Sequence, residues 1–396
     1  MGVIDKIGPQ YVTLSFLQII FSVIIIYFFS QEIKKIHFRL NGIYFYVFFL
    51  IFSIISIVFS SFREESILEW VKHFTNFHTL VNMVIFFFLL GKKKDVFFYI
   101  ILTLSLIESI YICSIFFDLY MDSESFSRYR QLQGFSSNQN IASFSLLIKI
   151  PILLYVYLNN SKKAIRVLSL VSVLLCFFCI QVIASRGALL GATLILLVVL
   201  VYFIFNLNKQ TKAIRLKLIG AFFLILTTIG VQNTLLSYKN KQLMSSNRML
   251  SYNDSSVDYR VGYIYDTLNH LMKYPLIGSG IGTWKIYSID YVRDEQKAYE
   301  APYHAHNDFL QIFAETGIFG GLSYLMIFVF SIFQMINGLL KAKRNYLNSI
   351  GFFLLLCLII YCFDSLINFP RIRPYSQMNI IYILGYFLSL KVQDEI

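Results

Sequence analysis

The residue types best suited to acid–base chemistry are concentrated in the segment HAHNDFLQIFAETGIFGG, residues 304–321. Two histidines, an asparagine, an aspartate and a glutamate lie there, at the border of a long apolar run. Ionisable groups at such a border are functional candidates by default. The structural alternative is a helix cap made by Asn307 or Asp308, with wet histidines and with glycines that ease helix packing. Both interpretations are open at this stage.

Arg186 interrupts an otherwise apolar stretch that runs from Val167 to Phe205, within the sequence ASRGALLG. No carboxylate lies within seven residues of it. A guanidinium in such surroundings is costly unless an anion meets it. We therefore expect Arg186 to bind an anion, and a side chain that snorkels to the membrane surface is the alternative.

Two further polar segments are candidates. Arg260 opens an amphipathic helix that ends before Pro275, and the run YPLIGSGIGTW follows it. Since no βαβ unit surrounds these glycines, we expect a tight turn and not a dinucleotide site. In residues 128–140, Arg130 and Asn140 could line an outer cavity, or the segment could be an ordinary loop with an asparagine helix cap.

Composition determines the surroundings of these candidates. Hydrophobic residues make up 57% of the 396 residues and charged residues 14%, against about 25% charged in a typical soluble domain. One soluble core could not bury so much apolar surface. The sequence therefore predicts a membrane protein and excludes a soluble globular domain.

The apolar runs predict about eleven spans, since a span needs about 20 mostly apolar residues. The runs are 11–29, 43–61, 76–90, 96–117, 141–159, 167–183, 187–206, 218–235, 318–338, 346–368 and 377–390. Every second connection is short and basic, so the positive-inside rule predicts that these loops are cytoplasmic, with the N-terminus outside and the C-terminus inside.

The long connections then face outward. The segment 236–305 carries eight Lys/Arg and seven Asp/Glu, a balance that argues against a nucleic-acid surface. We predict an all-α polytopic membrane protein with about 11–12 transmembrane helices and a large extracytoplasmic loop. Its parts would be N-terminal transmembrane helices 1–235, an extracytoplasmic catalytic cap 236–305 and C-terminal transmembrane helices 306–396.

Three segments, taken together and in this order, resemble the O-antigen ligase and polymerase family. They are SRGALLG, the arginine-started helix that leads into YPLIGSGIGTW, and AHNDFLQIFAETGIFGG. The resemblance covers about residues 128–340. It implies a metal-independent membrane glycosyltransferase of the GT-C type in the bacterial inner membrane. Its donor would be a glycan on undecaprenyl diphosphate, used at the extracytoplasmic face. The family is usually drawn with twelve spans and both termini inside, which differs from the count above.

Roles for the candidates follow from this resemblance. Arg186 and Arg260 would stabilise the charge that builds on the leaving diphosphate, because forked guanidinium donors match phosphate oxygens. His306 would be the general base, with His304 in reserve. The expected substrate-binding residues are His304, Asn307, Arg130, Asn140 and Glu315. No metal site and no cofactor are expected.

The implied partners are the lipid-linked glycan donor, a glycan or lipid-linked acceptor, the bilayer and other polysaccharide assembly proteins, but no nucleic acid. The sequence does not separate a ligase, which would use lipid A–core as acceptor, from a polymerase, which would use another repeat unit. A lipid-linked oligosaccharide flippase or transporter, and a non-catalytic assembly scaffold, are the alternatives from other classes.

Overall fold

The computed structural model describes residues 7–34, 36, 41–93, 95–121, 132–136, 138–205, 211–238, 255–292, 302–342 and 349–394. Within these residues the chain forms helices joined by turns, and no strand occurs among them. The predicted all-α class is confirmed.

The α-helices of the described residues are numbered in chain order. They are α1 Ile7–Ile33, α2 Asn41–Phe59, α3 Arg63–Leu90, α4 Val96–Met121, α5 Gln139–Leu147, α6 Ile150–Asn159, α7 Lys163–Ile183, α8 Arg186–Phe205, α9 Lys212–Tyr238, α10 Ser255–Lys273, α11 Trp284–Val292, α12 Asp308–Ala342, α13 Ile350–Ile367 and α14 Pro374–Asp394.

Each predicted apolar run corresponds to helix. By length and composition, nine helical segments of the described residues could cross a membrane, with α5 and α6 counted as one segment, and Arg186–Val201 of α8 is a shorter apolar helix. Many side chains of these helices are exposed and apolar, such as Val12 at 71% and Phe223 at 68%. Lipid is the solvent that such surfaces suit. The protein is a multi-pass membrane protein.

Two details differ from the predicted spans. The third run was expected at 76–90, but α3 begins earlier, at Arg63. The first half of this helix carries charged residues, which lower its hydropathy and hid it from the sequence prediction. The fifth run is two helices, α5 and α6, which meet at Lys149. There Lys149 Nζ lies 2.7 Å from Glu108 Oε2 and 2.9 Å from Ser145 Oγ. A carboxylate and a hydroxyl thus compensate the buried ammonium.

The chain divides into two compact units. Unit 1 consists of Met1–Gly91, Asp254–Gln334 and Ser365–Ile396, and unit 2 of Lys92–Asn253 and Met335–Asp364. In unit 1, α3 packs against α14, α1 and α2. In unit 2, α7 packs against α4, α5, α6 and α9. Unit 1 carries the histidine segment and Arg260, whereas unit 2 carries Arg186.

Candidate active site

The two histidines lie in unit 1, on a tight turn that leads into α12. His306 has a backbone φ of 53°, in the left-handed region that residues other than glycine seldom adopt. The turn is fixed from α12, because the buried Ala305 N–H donates to Gln311 Oε1 at 3.1 Å. Asn307 caps the helix, as its Oδ1 accepts the Leu310 N–H at 3.0 Å. The side chain of Asn307 therefore has a structural partner.

Aromatic rings hold both imidazoles. Phe369 packs against His304 with the ring centroids 4.3 Å apart and against His306 with the centroids 5.0 Å apart. Tyr263 of α10 stacks on His306 at 6.0 Å with the planes 22° apart. These contacts fix the orientation of both rings before any substrate arrives.

Both histidines are neutral at pH 7. Burial, with the nearby charge of Arg260, lowers the pKa of His306 to about 4. Burial and the charges of Arg371, His306 and Arg373 hold the pKa of His304 well below its usual range. In each ring Nδ1 is buried and has no hydrogen-bond partner among the described residues. A neutral imidazole keeps one nitrogen able to accept a proton.

Arg260 lies about one helical turn before Tyr263 on α10, and Tyr263 stacks on His306, so two of the predicted site residues belong to the same neighbourhood. Arg260 is carried by α10, which is linked to the glycine-rich turn. His270 Nε2 lies 2.9 Å from Ser279 Oγ, and that hydroxyl lies 2.8 Å from Thr283 Oγ1. Burial, with the charge of Lys273, lowers the pKa of His270 to about 4. A neutral His270 therefore connects the Arg260 helix to the turn.

Glu315 binds this turn to α12. Its carboxylate is fully buried and accepts the backbone N–H of Gly282 at 2.9 Å and of Trp284 at 3.2 Å. It also accepts the side-chain amide of Gln311 at 3.0 Å. These three hydrogen bonds join Glu315 to the protein itself, and the substrate contact expected from the sequence stays a prediction.

Two glycines permit this close packing. Gly278 has φ 79°, and a Cβ there would meet the backbone of Glu315. Gly317 interrupts α12 with φ 68°, and a Cβ there would meet the backbone of Leu276. The expectation of a tight turn in the glycine run is confirmed. The two glycines allow this turn to pack directly against the kink in α12.

Arg371 is a buried cation next to the start of α12, and its side chain is 1% exposed. Its Nη1 lies 3.0 Å from Glu69 Oε1 and 2.8 Å from His73 Nε2. Its Nε lies 3.4 Å from Asp308 Oδ1, and its backbone N–H donates to Asp308 Oδ2 at 2.9 Å. Burial lowers the pKa of Arg371, but Asp308, Glu69 and Glu315 outweigh this and raise the pKa above its usual range. Because Asp308 follows His306 by two residues, this cluster holds the histidine turn.

Unit 2 has its own polar group around Arg186, which begins α8 after a left-handed Ala184. The neighbouring Ser185 Oγ donates to Asn140 Oδ1 at 2.9 Å. Asn140 thus lies beside the Arg186 turn. The helix cap is Asn138, which accepts the N–H of Asn140 and Ile141. Arg130 lies outside the described residues.

Residues 170–325 match the family model described as O-antigen ligase. The match contains Arg186, Arg260 and the histidine turn, and it lies within the range 128–340 expected from the resemblance. Residues 170–325 are an O-antigen ligase family domain. No curated protein matches the chain.

The O-antigen ligase domain confirms the resemblance found in the sequence. It supports a ligase-type or polymerase-type glycosyltransferase function in surface polysaccharide assembly. The domain contains both histidines, Arg260, Arg186, Asn307 and Glu315, but Asn140 and Arg130 precede it. The substrate contacts of Asn140 and Arg130 stay predictions, and so do the separate roles of the residues within the domain.

Arg371 lies outside residues 170–325, and the sequence motifs described above do not include it. A usable signal exists in FPRIRP, where Arg371 and Arg373 separate two apolar runs with no acidic residue beside them. Like Arg186, Arg371 is a guanidinium in an apolar stretch of sequence, but its partners come from distant parts of the chain.

Proposed function

We propose that this protein transfers an oligosaccharide from undecaprenyl diphosphate onto an acceptor glycan, without a metal, at the extracytoplasmic face of the bacterial inner membrane. The observation that carries the proposal is a half-buried, neutral His306 on a fixed turn, stacked against Tyr263 of the helix that carries Arg260. A proton acceptor next to an anion-binding cation is what glycosyl transfer from a diphosphate needs.

The reaction balances with these groups. The acceptor hydroxyl oxygen attacks the anomeric carbon of the donor, and the bond from that carbon to the diphosphate oxygen breaks. His306 takes the hydroxyl proton, and undecaprenyl diphosphate leaves with the electron pair. Arg260 binds the diphosphate as its negative charge increases. Arg186 is proposed, from its place in the sequence, to bind an anionic group of a substrate through its guanidinium.

The electrostatics suggest how a weakly basic His306 becomes an effective base. In the free protein Arg260 lowers the pKa of His306. A bound diphosphate offsets the charge of Arg260, so the His306 pKa rises and the ring accepts a proton more readily. When undecaprenyl diphosphate departs, the pKa falls again and the proton is released. Donor binding thereby prepares the base.

The remaining residues are assigned to positioning. Glu315 holds the glycine-rich turn through two backbone N–H groups, and Asn307 caps α12. Arg371 binds Asp308 at the first turn of α12. These contacts keep His306 in its left-handed conformation, and their loss would move the base away from the donor.

The test is a transfer assay with purified protein in lipid nanodiscs, donor glycolipid and acceptor glycan. Release of undecaprenyl diphosphate together with glycan joined to acceptor supports an enzyme. Translocation across vesicles without bond cleavage would instead indicate a flippase. Unchanged polymer in cells that carry His306→Ala would indicate a scaffold.

Arginine variants refine the same assay. Arg186→Ala and Arg260→Ala should each lose activity, because a charge-assisted hydrogen bond to an anionic group of a substrate contributes about 1.5–3 kcal/mol. Lysine at position 260 should restore activity only in part, since a point charge cannot reproduce the fork. Full activity of Arg260→Lys would show that charge alone suffices.

A deletion strain decides between the two acceptors. A single repeat unit attached to the lipid anchor indicates a polymerase. Long chains that stay on undecaprenyl diphosphate indicate a ligase. The glycan banding pattern on a gel distinguishes the two results.

A further inference from the structure

A cavity opens beside His304 in unit 1. Its walls include the side chains of Glu69, Lys72, Lys285, Tyr303, His304 and Gln311. The space inside the cavity measures about 30 Å³, enough for about one or two water-sized groups such as a hydroxyl. None of the reaction steps above uses this space.

The charges in the walls are already paired. Lys72 Nζ lies 2.9 Å from Glu69 Oε2, and Lys285 Nζ lies 2.6 Å from Glu65 Oε2. Glu69 also contacts the guanidinium of Arg371 at 3.0 Å. A diphosphate prefers cations that no carboxylate has neutralised. Sugar hydroxyls differ, because one hydroxyl can donate to a carboxylate and accept from an ammonium.

Tyr303 provides an aromatic surface at this cavity. Its side chain is 56% exposed, and Lys285 Nζ lies 5.6 Å from the centroid of its ring. Its ring also meets the edge of His304, with the centroids 4.9 Å apart. An exposed ring beside hydrogen-bonding groups offers an apolar face and polar edges to one ligand. A sugar ring has this same combination.

His304 supplies a group that is ready for a ligand. It lines the cavity, and its buried Nδ1 has no hydrogen-bond partner among the described residues. Buried polar atoms without a protein partner are uncommon and require a water or a ligand. An acceptor hydroxyl can supply the missing hydrogen bond.

We propose that this cavity is part of the acceptor subsite. It takes up a hydroxyl group of the terminal sugar of the acceptor, an uncharged ring that lies at the cavity mouth. The inference rests on the proposed function and adds where and how the acceptor binds. Tyr303 stacks on the ring, Lys285 and Glu69 bind its hydroxyls, and His304 hydrogen-bonds a hydroxyl close to His306. The donor diphosphate occupies a different place, near Arg260.

The experiment measures transfer with saturating donor and varied acceptor, in nanodiscs that contain the full chain. The acceptor probe is a repeat-unit oligosaccharide from the host's own surface polysaccharide. Tyr303→Ala and Lys285→Met should each raise the acceptor KM about tenfold, the factor that corresponds to about 1.4 kcal/mol. The kcat and the donor KM should stay at the wild-type values, because neither side chain contacts the donor.

Two controls separate binding from folding. Tyr303→Phe keeps the ring and should restore an acceptor KM near that of the wild type. Tyr265→Ala removes another exposed tyrosine, 64% exposed on α10 and outside the cavity walls, and should leave every constant unchanged. A phosphorylated form of the probe should bind no better than the uncharged form.

The inference and the proposed function fail in distinguishable ways. If the wild type transfers glycan but Tyr303→Ala and Lys285→Met keep a normal acceptor KM, the subsite is wrong and the function stands. A rise in the donor KM instead would assign the cavity to the donor and overturn the subsite. If the wild type releases no undecaprenyl diphosphate, both ideas fail together.

Discussion

Replacement of Arg371 by methionine tests the cluster that holds the histidine turn. The guanidinium is almost fully buried and contacts Glu69 at 3.0 Å, His73 at 2.8 Å and Asp308 at 3.4 Å. Removal of one partner from a buried ion pair costs about 3–5 kcal/mol. Glu69 keeps Lys72 at 2.9 Å, and the backbone N–H of residue 371 can still donate to Asp308. We therefore expect a loss near the lower end, about 3 kcal/mol.

Thermal unfolding of the detergent-solubilised protein measures this effect, alongside Lys72→Met as the matched control. The Lys72–Glu69 pair is partly exposed, at 20% and 13%, so its loss should cost about 0–1 kcal/mol. Adding Asp308→Asn to Arg371→Met should recover part of the stability, because it removes the uncompensated carboxylate. An Arg371→Met protein that unfolds together with the control, or a double variant less stable than the single, would refute the reasoning.

Three further predictions follow from the site. Because the neutral imidazole is the active form and its pKa in the free protein is about 4, kcat/KM should be level above about pH 5 and fall as the pH drops through 4. Arg260→Met should raise the pH at which kcat/KM falls, though not to 6.5, because burial is the larger cause of the low His306 pKa. If the residual activity of Arg260→Met fell at the same pH as that of the wild type, the prediction would be contradicted. Gly317→Ala should destabilise the protein by at least about 1–3 kcal/mol, the cost of the strained φ alone, because its Cβ would also clash with the backbone of Leu276. Gly338→Ala, with open space around its Cβ position, should not destabilise it, as thermal unfolding would show. EDTA should leave the transfer rate unchanged, and dependence on Mg²⁺ or Mn²⁺ would overturn the arginine mechanism.

Hydropathy alone predicted most of the fold, because the bilayer requires long apolar helices and little else produces them. It failed where a helix carries polar residues that contact distant parts of the chain. The first half of α3 carries Glu69 and His73, which lower its hydropathy but bind Arg371. The break between α5 and α6 at Lys149 was also not predicted, because Glu108, which compensates its charge, lies on another helix.

The candidate site was accessible from the sequence only where chemistry is local. His304 and His306 lie two residues apart, and Arg260 begins a recognisable amphipathic helix. Arg371 was missed because its partners are remote: Glu69 lies 302 positions away and Asp308 63 positions away. The function of Glu315 was likewise hidden, because it depends on backbone N–H groups of the glycine turn and not on any residue type.

The most direct test of the central claim measures glycan transfer and donor binding in parallel for His306→Ala. The proposed mechanism predicts that transfer falls by about 10²–10⁴-fold, because a general base acts in the transition state. The donor Kd should stay near the wild-type value. His78→Ala is the matched control, because His78 Nε2 lies 2.7 Å from Ser22 Oγ in unit 1, away from the histidine turn in the sequence. This variant should transfer glycan at the wild-type rate. Wild-type transfer by His306→Ala, or an equal loss of donor binding and transfer, would contradict the account.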